Sequence, residues 1–184
     1  MTKTALLSID VQQGFKDASW GSRNNPDAEQ NIALLMSECR QQNIPVIHIK
    51  HCSTEANSTL NPNHPGNAYQ PEGTPLNGEK QFDKCVNSAF IGTGLEAYLH
   101  EHDINTLIIV GLTTDHCVST STRMAGNLGF TVTLVSDATA TFDRTGHDDV
   151  HYSAEQIHHI HLASLNGEFC TVQSTEQVLA AIST

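Results

Sequence analysis

The chain of 184 residues is 38% hydrophobic and 16% charged and has a formal net charge of −11 at pH 7, so we expect one domain, residues 1–184, with a substantial core. The acidic balance, without a Lys/Arg cluster, argues against a nucleic-acid partner. No apolar run approaches the roughly 18 residues of a membrane-spanning helix, which argues against a membrane partner.

Strands and helices alternate in the predicted chain. Short apolar runs bounded by turn residues predict strands over residues 4–9, 45–50, 106–110, 130–136 and 168–172, the last a central strand. Helical patterns lie between them, over residues 26–42, 92–102, 117–128, 147–165 and 174–182. This alternation predicts an α/β fold, a three-layer α/β/α sandwich with a mostly parallel sheet.

Turn and capping residues define several boundaries. Asn25 can cap the first helix, with Pro26 at its first position. Ser174 and Gln177 have capping-box spacing for the last helix. Residues 52–80 are rich in Asn, Pro, Gly, Ser and Thr, and their flanks are too short for separate domains. We therefore predict that residues 52–80 form a long loop near the functional site.

Cysteine usage indicates a reducing compartment. The five cysteines, at positions 39, 52, 85, 117 and 170, are an odd number without a Cys-x-x-Cys pair. This pattern argues against a disulfide framework and against a zinc ribbon. Because the first residues also lack the pattern of a signal peptide, we expect a cytoplasmic protein.

The segment that ends at Cys117 is the strongest candidate for chemistry. Apolar residues 107–110 precede Gly-Leu-Thr-Thr-Asp-His-Cys at 111–117, which predicts a buried strand that ends in a turn. Cys117 is then expected in the first turn of a helix at a strand's carboxyl end. Ligands bind at that edge of α/β sheets, and the helix dipole favours thiolate over thiol. The alternative is a small buried hydrophobic residue.

Asp10 and Lys84 are further candidates, each with a structural alternative. Asp10 ends the first predicted strand, where burial suits a general base, although a carboxylate there can equally cap a turn. Lys84 in isolation is more typical of a solvated surface lysine. His147 and His151, like His158 and His161, have helical spacing that can bind metal, but a solvated helix face explains them better.

Three segments, in this order, resemble the cysteine hydrolases of the isochorismatase-like superfamily. They are Leu-Ser-Ile-Asp-Val-Gln-Gln-Gly-Phe at 7–15, Lys-Cys-Val-Asn-Ser-Ala-Phe-Ile-Gly-Thr-Gly-Leu at 84–95, and Ile-Val-Gly-Leu-Thr-Thr-Asp-His-Cys-Val at 109–118. The sequence contains no Gly-x-Gly-x-x-Gly after its first strand, no Walker A motif and no Gly-x-Ser-x-Gly. The resemblance extends over most of the chain and implies a six-stranded parallel sheet between helices.

The resemblance also implies a catalytic triad of Asp10, Lys84 and Cys117. It implies a cis peptide between Leu112 and Thr113 and an oxyanion hole formed by the backbone N–H groups of Thr113 and Cys117. In this mechanism Asp10 takes the thiol proton, Lys84 supports both charges, and Cys117 forms a thioester that water hydrolyses.

Members of the superfamily that resemble nicotinamidases have an Asp-x-His metal motif after the second strand. Here His51 stands in place of the aspartate and Ser53 in place of the first histidine, whereas His64 resembles the second histidine. Because two of the three ligands differ, we expect no metal and no cofactor.

Three functions follow from the resemblance. The first is cysteine-dependent hydrolysis of a C–N bond in a small amide or imide, which the retained Cys117 favours. The second is vinyl ether hydrolysis of the isochorismatase type, with Asp10 as acid. The third is a catalytically silent binding domain.

The resemblance implies a small-molecule substrate and a homo-oligomer, most often a dimer or tetramer. Aromatic and imidazole side chains near the strand ends suit a planar or apolar substrate. The candidate substrate-binding residues are Phe15, Trp20, His51, Phe90, His116, Phe142 and Tyr152.

Overall fold

The computed structural model describes residues 3–183. Its strands are β1 (Lys3–Ile9), β2 (Val46–His51), β3 (Lys80–Lys84), β4 (Ile104–Leu112), β5 (Thr131–Ala140), β6 (Arg144–Thr145), β7 (His151–Tyr152) and β8 (Thr171–Gln173). Its α-helices are α1 (Ala28–Gln41), α2 (Leu95–Glu101), α3 (Ser119–Asn127), α4 (Ala154–Leu165) and α5 (Thr175–Ile182). Within residues 3–183 no helix has the length and apolar character needed to cross a membrane.

Six strands form one sheet in the order β3-β2-β1-β4-β5-β8, with every neighbouring pair parallel. Side chains that alternate along β1 pack on opposite faces of this sheet. Leu6 contacts the cluster that includes residues of α1 and α5, whereas Leu7 belongs to the cluster that includes residues of α2, α3 and α4. The three-layer α/β/α sandwich is therefore confirmed.

Within the six-stranded sheet, the sequence analysis missed one strand and misplaced another. β3 is mostly polar and exposed on its outer side, since it is an edge strand, so its pattern does not resemble a buried strand. At the opposite edge, the short β8 is not the central strand that we predicted. Both errors arise because the place of a strand in the sheet, at an edge or in the centre, depends on contacts between distant segments.

The starts of α1 and α4 also differ from the prediction. The segment before α4 contains β7, and α4 begins only after Ser153, whose hydroxyl accepts from the N–H of Gln156 in a capping box. Asn25 does not cap α1: its side chain instead donates to the carbonyls of Ser136 and Thr139, at 2.9 and 2.7 Å. The capping box of Ser174 and Gln177 at α5 is confirmed.

Candidate active site

Asp10 follows β1 directly and has a left-handed backbone, with φ of 52°. Such a conformation is uncommon outside glycine and occurs most readily at Asn and Asp. The residue is fully buried. Its Oδ2 accepts a hydrogen bond from Lys84 Nζ at 2.7 Å, whereas Oδ1 has no hydrogen-bond partner among residues 3–183. One carboxylate oxygen is thus held and the other is free.

Lys84 is the last residue of β3, in register with His51 at the end of β2. Its side chain is fully buried, unlike the solvated lysine of the structural alternative. Lys84 Nζ lies 2.7 Å from Asp10 Oδ2, 2.9 Å from His51 Nδ1 and 3.2 Å from Cys117 Sγ. Three groups from three strand ends therefore surround one ammonium.

Cys117 lies beyond the carboxyl end of β4, as predicted, but in a different local structure. The peptide between Leu112 and Thr113 is cis, and residues Thr114–Val118 form a π-helical turn before α3 begins. Cys117 is therefore not in the first turn of an α-helix. π turns of this kind occur often at functional sites.

A glycine brings β4 close to β1 beside the site. Gly111 has a φ of 124°, and a Cβ at this position would collide with the backbone of Ile9. The register between β4 and β5 also shifts next to Gly111. Glycine here lets the segment that leads to Cys117 approach the residue preceding Asp10.

The charge states follow from burial and neighbouring charges. Burial alone lowers the pKa of Lys84, but the negative charge of Asp10 and the hydrogen bonds that Lys84 donates to Asp10 and Cys117 outweigh it and raise that pKa, so Lys84 is an ammonium. Burial, with the Asp10 charge, raises the pKa of the Cys117 thiol against the opposing effect of Lys84. Our expectation that the helix dipole favours a thiolate was therefore wrong, because desolvation and a carboxylate favour the neutral thiol.

His51 is held in one tautomer by Lys84. Because an ammonium can only donate, His51 Nδ1 accepts and the ring proton is on Nε2. Burial and the positive charge of Lys84 lower the pKa of His51, against the opposing effect of Asp10. The imidazole is therefore neutral, and its Nε2–H is left to bind an acceptor.

A cavity of about 160 Å³ opens onto Cys117. Four of the predicted substrate-binding residues line it, namely Phe15, Trp20, His51 and His116. The predicted loop contributes Ser53, Glu55, Ser58 and Leu60, so its first part lines the cavity. A volume of this order holds a molecule about as large as benzene.

The other three predicted binding residues do not line this cavity. Phe90 is in the core and stacks on Phe130, with ring centroids 6.0 Å apart. Phe142 stacks behind Trp20 at 5.4 Å, so it supports the cavity wall. Tyr152 pairs with Arg144 in the β6–β7 hairpin. Aromatic character near strand ends did not reveal these orientations, which tertiary packing determines.

Asn87 is a cavity residue that the sequence analysis missed. It lies in the turn after Lys84, and its Oδ1 is 3.8 Å from Cys117 Sγ. The signal was available, since Asn87 is part of the segment that carries the family resemblance. Glu55 was missed as well, because loop composition shows where a loop is but not which side chains face inward.

The residues at the end of β2 do not fit a metal site of the Asp-x-His type. His64 lines a different cavity from His51, and its Nδ1 accepts from the N–H of Gly66 at 2.9 Å. Potential ligand atoms of Asp10, His51 and Cys117 do lie within 4.8 Å of one another. However, Lys84 Nζ contacts all three residues, so an ammonium already neutralises this group of ligands.

A larger cavity, of about 420 Å³, lies at the opposite ends of the strands from Cys117 and is lined by residues that include Thr4, Ile44 and Ile104. These residues are at the amino ends of β1, β2 and β4. Its lining contains no cysteine or carboxylate. The smaller cavity is the candidate active site because it alone of the two has a nucleophile beside a buried ion pair.

Comparison with known proteins shows which family the chain belongs to. The model of the isochorismatase domain matches residues 4–177. The isochorismatase family protein YrdC of Bacillus subtilis is 46% identical over 177 residues, which are 96% of this chain and 95% of YrdC. Nicotinamidase 3 of Arabidopsis thaliana is 26% identical over 159 residues, 78% of this chain and 76% of the plant protein.

A solved structure gives the same result. A crystal structure described as a hydrolase of the isochorismatase family, from Chromobacterium violaceum, matches 99% of this chain and 94% of its own, with 46% identity and a TM-score of 0.94. Because the match extends over nearly the whole chain in sequence and in fold, this protein belongs to the isochorismatase family and is a hydrolase.

Proposed function

We propose that the protein hydrolyses the C–N bond of a small amide or imide, with Cys117 as nucleophile, Asp10 as general base and Lys84 as their electrostatic support. The observation that carries this proposal is the single ammonium of Lys84 in contact with both Asp10 Oδ2 and Cys117 Sγ. This ammonium holds the base and the nucleophile together in one buried group at the wall of a cavity.

The resting charge states suit this chemistry. Cys117 is a neutral thiol, so its proton leaves only as Sγ attacks the substrate carbonyl carbon. Asp10 has a free Oδ1 to take that proton, while Lys84 remains charged and stabilises the developing negative charge on sulfur. A base positioned beside a neutral thiol replaces the need for a permanently ionised cysteine.

The remaining steps balance protons through the same carboxyl group. In the tetrahedral intermediate, backbone N–H groups of Thr113 and Cys117 stabilise the oxyanion. Asp10 gives its proton to the leaving nitrogen, the C–N bond breaks, and an amine and a Cys117 thioester result. Asp10 then takes a proton from water, whose oxygen attacks the thioester. As the C–S bond breaks, Asp10 returns that proton to Cys117 Sγ, and a carboxylic acid leaves.

Two features favour a small amide over an ether. An ether cleavage by an acid leaves Cys117 without a role, whereas acyl transfer needs a nucleophile. One relative is named nicotinamidase 3, and this name indicates an amide substrate. The cavity of about 160 Å³ suits a small amide of this kind. The Nε2–H of His51 and the side chain of Asn87 are positioned to bind its polar atoms.

A hydrolysis screen over small amides, imides and isochorismate, run with the parent protein, Cys117→Ala and Asp10→Asn, tests the proposal. We expect turnover of an amide or imide that falls by several orders of magnitude in Cys117→Ala. Turnover of isochorismate that survives Cys117→Ala but not Asp10→Asn would establish the ether hydrolase instead. Specific binding without turnover of any compound would indicate a binding domain.

The metal-independent part of the proposal has its own test. Activity on the best substrate should survive EDTA, because Lys84 and backbone N–H groups supply the positive electrostatics. Loss of turnover with EDTA and its recovery with zinc would contradict a metal-free mechanism. The parent protein with an added magnesium or zinc salt is the control for ion effects unrelated to catalysis.

We also propose a reducing compartment and self-association. All five cysteines are free thiols, which suits the cytoplasm. Val86 and Ile91 follow β3 with 45% and 52% of their surface exposed, and an interface between copies would cover them. Sedimentation at micromolar concentration should give a dimer or tetramer, and a clean 20.0 kDa monomer would contradict self-association.

A further inference from the structure

The cavity at Cys117 continues into a second, more open cavity of about 300 Å³. Trp20, Glu55 and Ser58 line both, so they form the boundary between an inner space at the nucleophile and an outer space at the surface. The inner cavity holds a molecule about as large as benzene and so suits a small amide. A further substituent on that amide would therefore pass these three residues.

Glu55 offers an unpaired negative charge at this boundary. Its backbone is fixed: the N–H donates to Ser53 Oγ at 3.2 Å, and the carbonyl accepts from the N–H of Ser58 and from Asn61 Nδ2. For its side-chain carboxylate the structure gives no hydrogen bond or ion pair within residues 3–183. Neither cavity is lined by a lysine or arginine, so the chain supplies no positive partner here.

Trp20 is an aromatic side chain that lines the same two cavities as Glu55. Its Nε1–H donates to the carbonyl of Gly14 at 2.9 Å, and its ring packs on Phe15 at 4.9 Å and on Phe142 at 5.4 Å. The indole is thereby held in one orientation at the cavity wall. An aromatic face attracts a cation, and a nearby carboxylate adds to that attraction.

We propose that Glu55 and Trp20 form a subsite for a positively charged nitrogen, so that the substrate is a small amide that carries an ammonium or guanidinium group. The net charge of −11 draws such a molecule toward the protein as well. This inference rests on the proposed hydrolysis for the identity of the reacting group, but the cation subsite itself can bind without turnover.

The test compares two primary amides of equal chain length, one ending in an ammonium and the other in a hydroxyl group, over a series of lengths. The parent protein should prefer the ammonium amide by about three- to tenfold in kcat/KM, the effect of one exposed carboxylate and one cation–π contact. Glu55→Gln should remove this preference, mainly through KM. Glu101→Gln is the matched control, because Glu101 ends α2 at the opposite edge of the sheet.

Calorimetric binding of the same amides to Cys117→Ala, with and without Glu55→Gln, separates the two proposals. A Glu55-dependent preference in binding, without turnover by the parent protein, would support the subsite and contradict the hydrolysis. Equal treatment of the two amides by the parent protein, or a preference that survives Glu55→Gln, would overturn the subsite and leave Glu55 a solvated surface residue. A preference that Glu101→Gln removes equally would overturn it too, as an effect of net charge.

Discussion

Two clusters, each with a carboxylate, a cation and a histidine, lie on either side of β2, and they differ in how completely the carboxylate is bonded. In the first, Asp10 has one oxygen on Lys84 and the other without a partner. In the second, Glu79 binds Arg40 with both oxygens and also accepts from His48 and from the N–H of Leu76.

The surroundings explain the difference between the two clusters. His51 and Cys117, which both contact Lys84, line a cavity, and in the proposed mechanism the free oxygen of Asp10 exchanges a proton with Cys117. The Glu79 cluster joins the end of the long loop to α1 and to β2, and no proton has to move there. The carboxylate beside the candidate nucleophile thus keeps one oxygen without a hydrogen bond, whereas the carboxylate that joins structural elements is fully bonded.

Asp10→Asn should cause the greatest loss of activity of the variants considered. The amide cannot take the Cys117 proton, so kcat on the best substrate should fall by about 10³-fold or more. Steady-state kinetics with thermal unfolding as a check on folding measures this. Glu79→Gln is the matched variant and should keep kcat within about threefold. Activity of folded Asp10→Asn within tenfold of the parent protein would contradict the assignment of Asp10 as base.

Glu79→Gln should instead reduce stability. Burial raises the pKa of Glu79, but hydrogen bonds from Arg40, the Leu76 N–H and His48 outweigh it and lower the pKa to about 2. The free energy of unfolding should fall by about 1–3 kcal/mol at pH 7, because Arg40 and His48 lose a charged acceptor. Denaturant unfolding measures the change.

The acid dependence of that stability follows from the lowered pKa. A carboxyl group with a depressed pKa stabilises the fold above its unfolded value of 4.5 and loses this contribution as pH falls to about 2. The difference between the parent protein and Glu79→Gln should therefore be constant above pH 4.5 and shrink below it. A difference that stays the same down to pH 2 would show that the ion pairs contribute nothing.

The rate of thiol labelling reports whether Cys117 is a neutral thiol or a thiolate. Because burial and Asp10 raise the pKa of this thiol, we expect it to react with iodoacetamide about tenfold or more slowly at pH 7 than the exposed Cys85. Mass spectrometry of peptides over time gives both rates in one sample. Faster labelling of Cys117 than of Cys85 would indicate a resting thiolate and contradict the proposed proton transfer from a neutral thiol.

Protonation of His51 should cause a modest decline of kcat/KM at low pH. Burial and Lys84 hold the pKa of His51 below its ordinary 6.5, so the ring is neutral at pH 7 and gains a proton only at lower pH. Protonation places a cation against Lys84, and kcat/KM should then decline by up to about tenfold per pH unit. His51→Gln should shift or remove this inflection in the pH profile, and an unchanged profile would contradict the role of His51.

Local patterns in the sequence were sufficient for much of the fold. The apolar runs of β1, β2, β4 and β5 and the capping box of α5 were predicted, because period, caps and turn residues act over a few residues. β3 could not be recognised in this way, since an edge strand with polar residues lacks an apolar run. Its last residue, Lys84, was a candidate in the sequence, but only the resemblance implied a catalytic role for it.

The residues of the site divide along the same line. The apolar runs before Asp10 and Cys117 were sufficient to predict that both residues follow buried strands. The carboxyl ends of parallel strands lie at one edge of the sheet. Only the tertiary structure decided that Lys84 Nζ contacts both, that Cys117 is a neutral thiol, and that Glu55 faces the cavity while Phe90 does not. Those properties depend on distances between segments that are far apart in the chain, and on the burial that those segments create together.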